Sequence, residues 1–177
     1  MTNSTINDLS NKYSLANRIT HWLTALGIFT LIPLGLIMHE MEVSADKLSL
    51  FRTHTIIGIV ILLLTLFRVY LYFAHDCPPQ IKTGSNFTDK LVGWVHNAFY
   101  FTLLLITFAG LAINISLDLI NIYRSNDVSQ FPVDIEVLSA EVHETLYIIL
   151  AILIVMHVAG VLKHIIFKKE NIIKRMF

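Results

Sequence analysis

Charge is scarce in this chain: only 15% of its 177 residues are charged, against roughly a quarter in an ordinary soluble domain, while 55% are hydrophobic. That balance points to lipid rather than water. Cysteine is scarcer still. Cys77 stands alone, which excludes an intrachain disulfide, a thiolate zinc cluster and a Cys-x-x-Cys-His attachment sequence, and leaves it as a loop thiol. The chain also lacks internal repeats, low-complexity tracts, the alternation of barrel strands and any nucleotide-binding motif. A formal net charge of zero gives no reason to expect a nucleic-acid partner.

What is present is a set of four long windows almost free of Asp, Glu, Lys and Arg. A hydrocarbon core about 30 Å thick needs roughly 20 apolar residues in a helix. Every backbone polar group in lipid must be bonded within its own segment, so the windows are expected as helices over about 15–39, 53–74, 89–117 and 141–167. Together they make one transmembrane domain over 1–177, an all-α, integral membrane four-helix bundle of up-down-up-down order. The first window follows about twenty polar residues and has no small-residue cleavage site before Glu40, so it is expected as a retained span. Pro33 is expected to kink the first helix, Thr88 or Asp89 to cap the third, and residues 134–139 to form a short surface helix. Residues 77–79 and 82–86 read as turn chemistry. Ten Lys and Arg lie in the amino-terminal segment, the second loop and the tail, and three lie elsewhere, Lys47, Arg52 and Arg124. By the positive-inside rule both termini are cytoplasmic.

Eight histidines in so apolar a chain need a reason, because an imidazole in a membrane is costly and generally faces the bundle interior, a partner or a cofactor. His21, His54, His96, His143 and His157 lie in or at the ends of the spans. His143 and His157 are fourteen residues apart, close to four turns, so they share a helix face about 21 Å apart along the axis. Depth then pairs His21 with His157 and His54 with His143. Two facing imidazoles on different helices are the axial arrangement of a six-coordinate haem, whereas a zinc site usually wants three or four protein ligands. The expectation is therefore two non-covalent b-type haems, with these four histidines on the irons.

Haem propionates want cations. Arg68 follows His54 by fourteen residues and reads as a partner for the inner haem, or as a side chain snorkelling to the headgroups; Arg52 stands beside the outer haem. Gly58 and Gly160 lie near one turn beyond His54 and His157, for close approach to haem or for ordinary helix packing. His96 and His164 could serve the inner haem, a quinone or a structural role, while His39 and His75 sit at helix ends. Trp22, Trp94, Tyr70, Tyr72 and Tyr100 fit an aromatic belt or core packing.

Nearly the whole chain resembles the bacterial cytochrome b561 family. The resemblance rests on Tyr13-Ser14 before His21-Trp22, on Arg52-Thr53-His54 with Gly58 and Arg68, on Val142-His143-Glu144-Thr145-Leu146 with His157 and His164 downstream, and on Phe167-Lys168-Lys169-Glu170-Asn171. It implies the same four haem ligands, the inner bacterial membrane and electron exchange with ubiquinone. One type in the family looks like a superoxide oxidase, passing electrons from superoxide at the outer face to quinone. Quinone reduction takes up protons, which makes His164, His96, Trp22 and Ser14 the candidates around a quinone at the inner haem. The outer loops carry nine carboxylates against three cations, a balance that repels superoxide and attracts a basic redox protein. Lys47, Arg52 and Arg124 at the haem edge could still form a local positive funnel. Three readings stay open: a quinone-linked oxidoreductase, an electron-transfer subunit docked to a dehydrogenase or hydrogenase, and a haem-free transporter or scaffold.

Overall fold

A computed structural model describes residues 12–74, 78 and 85–177; His75, Cys77 and the turn residues 79–84 lie outside the described residues. The described chain is all-helical. Its long elements are α1 (Leu15–Glu40), α2 (Ala45–Ala74), α3 (Asn86–Ser116) and, after the short α4 (Leu119–Ser125), α5 (Leu138–Phe167). Each of the four long helices is long and apolar enough to cross a membrane.

Local chemistry sets the helix ends. The Ser14 hydroxyl accepts from the Asn17 backbone N–H and starts α1. Helix α1 continues through Pro33 to Glu40. Helix α2 begins at Ala45, well before the expected Thr53, because Ser44 accepts from Lys47 N–H and its carbonyl takes the Leu48 N–H. Helix α3 starts after Ser85 rather than at Thr88 or Asp89, which both fall inside its first turn; an acid there still complements the helix dipole. Asp118, in the left-handed conformation at φ 49°, ends α3 and lets α4 restart in a new direction. The expected surface helix over 134–139 is absent: residues 134–137 are irregular and Leu138 already belongs to α5. The connection's helical pieces are α4, whose Leu119 and Ile122 are buried with Leu48 and Phe131, and a 3-10 turn over Val128–Gln130.

Helix α1 packs on α2, α2 on α3, and α3 on α5. Ile28, Ile61, Leu103, Ile106, Leu146 and Leu150 fill the middle. Helix α1 packs tightly on α2 at Gly27, where an added Cβ would lie 2.4 Å from Ile61 Cδ1. Buried threonines need no water, because Thr24 donates to the Thr20 carbonyl at 2.7 Å and Thr65 to Ile61 at 2.7 Å. Outside, Leu26, Phe29, Phe101, Phe108 and Val155 are exposed, a surface that suits lipid and not water.

The two ends of the bundle differ. At one, the cap end, Leu48, Leu119, Ile122 and Phe131 form a second core in which α4 folds over α2 and α3. At the other, the tail end, residues 172–176 form a 3-10 turn that docks on the start of α1. There Tyr13 N–H donates to the Arg175 carbonyl at 3.1 Å, and Trp22 Nε1 donates to Met176 at 2.9 Å.

Candidate functional site: two facing histidine pairs

His21, six residues into α1, stands opposite His157 of α5 with ring centroids 6.3 Å apart and planes at 52°. His54, in the first third of α2, stands opposite His143 of α5 at 6.1 Å and 58°. All four rings are largely withdrawn from the surface. The fourteen-residue interval from His143 to His157 lies wholly within α5, so the pairs stack about 21 Å apart along one helix. With metal–nitrogen bonds of about 2.0 to 2.1 Å and each ring centre about 1 Å behind its nitrogen, two imidazoles on one metal stand about 6 Å apart. Both pairs match that span.

The surroundings differ by level. At the cap-end pair the helices offer glycine: a Cβ on Gly35 of α1 would lie 3.6 Å from His54 Cε1, and one on Gly110 of α3 would lie 3.5 Å from His143 Cδ2. Neither residue stood out in the sequence; a glycine on each helix flanking the outer pair, once depth is assigned, is the signal that finds them. Gly58 and Gly160 meet nothing within 4 Å, so neither acts as a close-packing residue among the described atoms. At the tail-end pair His157 also touches His96, at 5.4 Å and 80°, and Phe99, at 5.6 Å and 85°. The His96 contact is shorter and edge-on, and its Nδ1 is bonded to the Val92 carbonyl at 2.7 Å, which fixes the ring against His157.

The cations hold fixed positions. Arg68 lies over the Tyr100 ring at 5.4 Å, close enough for its charge to act on both His21 and His157. Arg52 donates to the Tyr123 carbonyl and lies over that ring at 5.7 Å. Tyr123 in turn shares a hydrogen bond with Thr55, whose hydroxyl donates to Asn114 at 3.2 Å. Burial pushes the Tyr123 hydroxyl above its ordinary value, opposed by the Thr55 bond and the Arg52 charge, so the ring facing Arg52 stays neutral at physiological pH. The Nε atoms of Arg18, Arg52 and Arg68 and the Nδ1 atoms of His21 and His54 are buried without a hydrogen-bond partner. The arginine Nε atoms, donors in every charge state of these side chains, are suited to an anionic group.

Comparison with known families matches residues 12–177 to the prokaryotic cytochrome b561 family. The chain belongs to that family. It is therefore a multi-pass membrane cytochrome that carries haem b and transfers electrons. Among curated proteins none matches it. The residues present fit the cofactor: facing imidazoles at bis-histidine spacing, glycines against the rings, and arginines with unused donors. Among the described residues no three His, Cys, Asp or Glu side chains gather as a metal cluster, and a haem iron asks for no such group.

The expected quinone residues are engaged separately. Trp22 stands beside His21 at 5.4 Å, packs on Phe177 at 4.9 Å and lines an open groove of about 380 Å³ shared by Arg18, Ile19 and Leu23 with Met176 and Phe177. Ser14 is the α1 cap. His164 is buried, and its Nδ1 pairs with Glu170 Oε2 at 3.0 Å. The docking of the tail on α1 was invisible in the sequence, because 154 residues separate Trp22 from its acceptor.

Proposed function

We propose that this cytochrome is a di-haem electron carrier of the bacterial inner membrane, with its helices up-down-up-down and both termini cytoplasmic. His21 and His157 hold the inner haem and His54 and His143 the outer one. The observation that carries this reading is the pair of facing imidazole couples, 6.3 and 6.1 Å apart, that share α5. Haem b supplies one-electron redox chemistry, and two stacked along the bundle give a route across the membrane. Ubiquinone is the partner at the tail end, where the groove lined by Trp22 is apolar enough for a quinone and Trp22 itself stands edge-on to His21. The buried His164–Glu170 couple lies at the same end and is suited to hand on the protons that quinone reduction takes up.

At the cap end the partner is a one-electron donor or acceptor, superoxide or a basic redox protein. One observation favours the protein. Of the three outer cations, Lys47 is buried on the Met41 carbonyl and Arg52 is held by Tyr123, so Arg124 alone is exposed, whereas Glu40, Glu42, Asp46, Asp118, Asp134, Glu136, Glu141 and Glu144 are all exposed. The positive funnel has turned inward, and the acidic outer face suits a cationic partner, including one attached to a dehydrogenase or hydrogenase.

Visible spectra of the purified protein test the haem assignment. Replacing His54 or His143 by Ala should each remove one haem, and replacing His21 or His157 the other; if His21→Ala and His54→Ala deplete the same haem, the pairing is wrong. Stopped-flow reduction at several ionic strengths, with ubiquinone as acceptor, tests the partners. Salt should speed a repelled anion and slow an attracted cationic protein. Negligible reduction by superoxide removes the superoxide reading, and no transfer to added quinone removes the quinone.

A further inference from the structure

The four cations near the two levels are Arg18 and Arg68 at the tail end, and Lys47 and Arg52 at the cap end. Lys47 is the least expected of them. It is only 9% exposed in the absence of any ligand. An ammonium has three donors, and Lys47 uses one, to the Met41 carbonyl at 2.6 Å. Among the described residues it forms no ion pair. Asp46, the adjacent acid, lies exposed. A buried cation with one neutral acceptor is costly, and proteins keep such a group only where a counter-charge meets it.

Lys47 belongs to the first turn of α2, seven residues before His54. Seven residues return a helix to within about 20° of the same face, about 10 Å further along the axis. Lys47 therefore lies on the His54 side of α2, displaced toward the cap end, with its ammonium turned to the Met41 carbonyl at the end of α1. A haem held between His54 and His143 would carry two carboxylates, and Lys47 is a buried cation on this side of the bundle that could meet one of them. Arg52, two residues before His54 in the chain, is held by Tyr123 and keeps its Nε unpartnered among the described residues. Two carboxylates and two cations then match in number and sign.

We propose that Lys47 is a positioning residue for the outer haem, pairing with one propionate while Arg52 pairs with the other. This rests on the placement of a haem between His54 and His143. The Met41 bond aims the ammonium and ties the last turn of α1 to the first of α2, so the α1–α2 turn is built around the ion pair. Loss of the charge leaves a propionate uncompensated and favours the oxidised iron.

The test uses the purified holoprotein with Lys47→Gln, whose amide still donates to Met41, and Lys47→Arg. In Lys47→Gln both haems stay, the outer haem shifts about tenfold toward its oxidised form at fixed potential, about 59 mV for one electron, and the inner haem is unmoved. Lys47→Arg restores the potential but shifts the propionate bands in the redox-difference infrared spectrum. An unmoved outer potential in Lys47→Gln overturns the pairing. Should Lys47→Gln lose haem, the infrared bands of Lys47→Arg decide, and unshifted bands overturn it equally. If instead His54→Ala keeps the full haem content, the haem placement itself has failed, an outcome distinct from either.

Discussion

Replacing Leu119 by Ala should open the cap while leaving the membrane-spanning helices folded. Leu119 is 1% exposed and packs with Leu48, Ile122 and Phe131 at the end of the bundle. Helix α4 is only seven residues long, too short to hold itself, so its position depends on this cluster. The neighbours Asn121, Arg124 and Asn126 are exposed, so an opened cap meets water and the full hydrophobic term applies. A buried Leu→Ala change then costs about 3 kcal/mol, within the usual range of 2 to 5, which raises the open fraction about 150-fold. Leu103, 4% exposed in the middle of the bundle, provides the contrast. There the alternative environment is lipid, so Leu103→Ala loses packing but little transfer energy. Hydrogen exchange over residues 119–125 is the assay: Leu119→Ala should accelerate it by about two orders of magnitude, and Leu103→Ala should hardly change it. Unchanged exchange in Leu119→Ala, or equal acceleration by both, would refute the idea that an aqueous apolar cluster holds the cap.

Two further outcomes concern the haem levels. Arg68→Ala should keep both haems and lower the potential of the inner one, with Arg68→Lys recovering most of the fall; spectroelectrochemical titration reads this, and an unchanged potential would assign Arg68 to the headgroups. Gly110→Ala should be tolerated, since its Cβ meets the His143 ring at an ordinary 3.5 Å, whereas Gly110→Leu should displace that ring and deplete the outer haem alone, as counted from the visible spectrum.

The helices and the two histidine couples were legible because each is a linear signal: long uncharged windows mark spans, and a fourteen-residue interval places His143 and His157 on one face. Charge misled at the edges. Asp46, Lys47 and Arg52 look like loop residues, yet Ser44 starts α2 ahead of them. The helix expected over 134–139 lies instead at 119–125, where Leu119 and Ile122 are buried with Leu48 and Phe131. The Arg52–Tyr123 contact and the tail on α1 arise from tertiary proximity, which no local pattern encodes. Trp22 looked like a belt residue until Met176 was found beside it.

Both facing couples take their second imidazole from α5. Helices α1 and α2 precede it in the chain. If each couple holds a haem, as proposed, cofactor loading at both levels waits on a single late event, the insertion of α5, and neither level is filled on a partly made chain. An insertion failure at α5 should leave a protein devoid of both haems rather than one with a single functional centre, so the spectrum of the assembled protein reports on completion of the whole bundle.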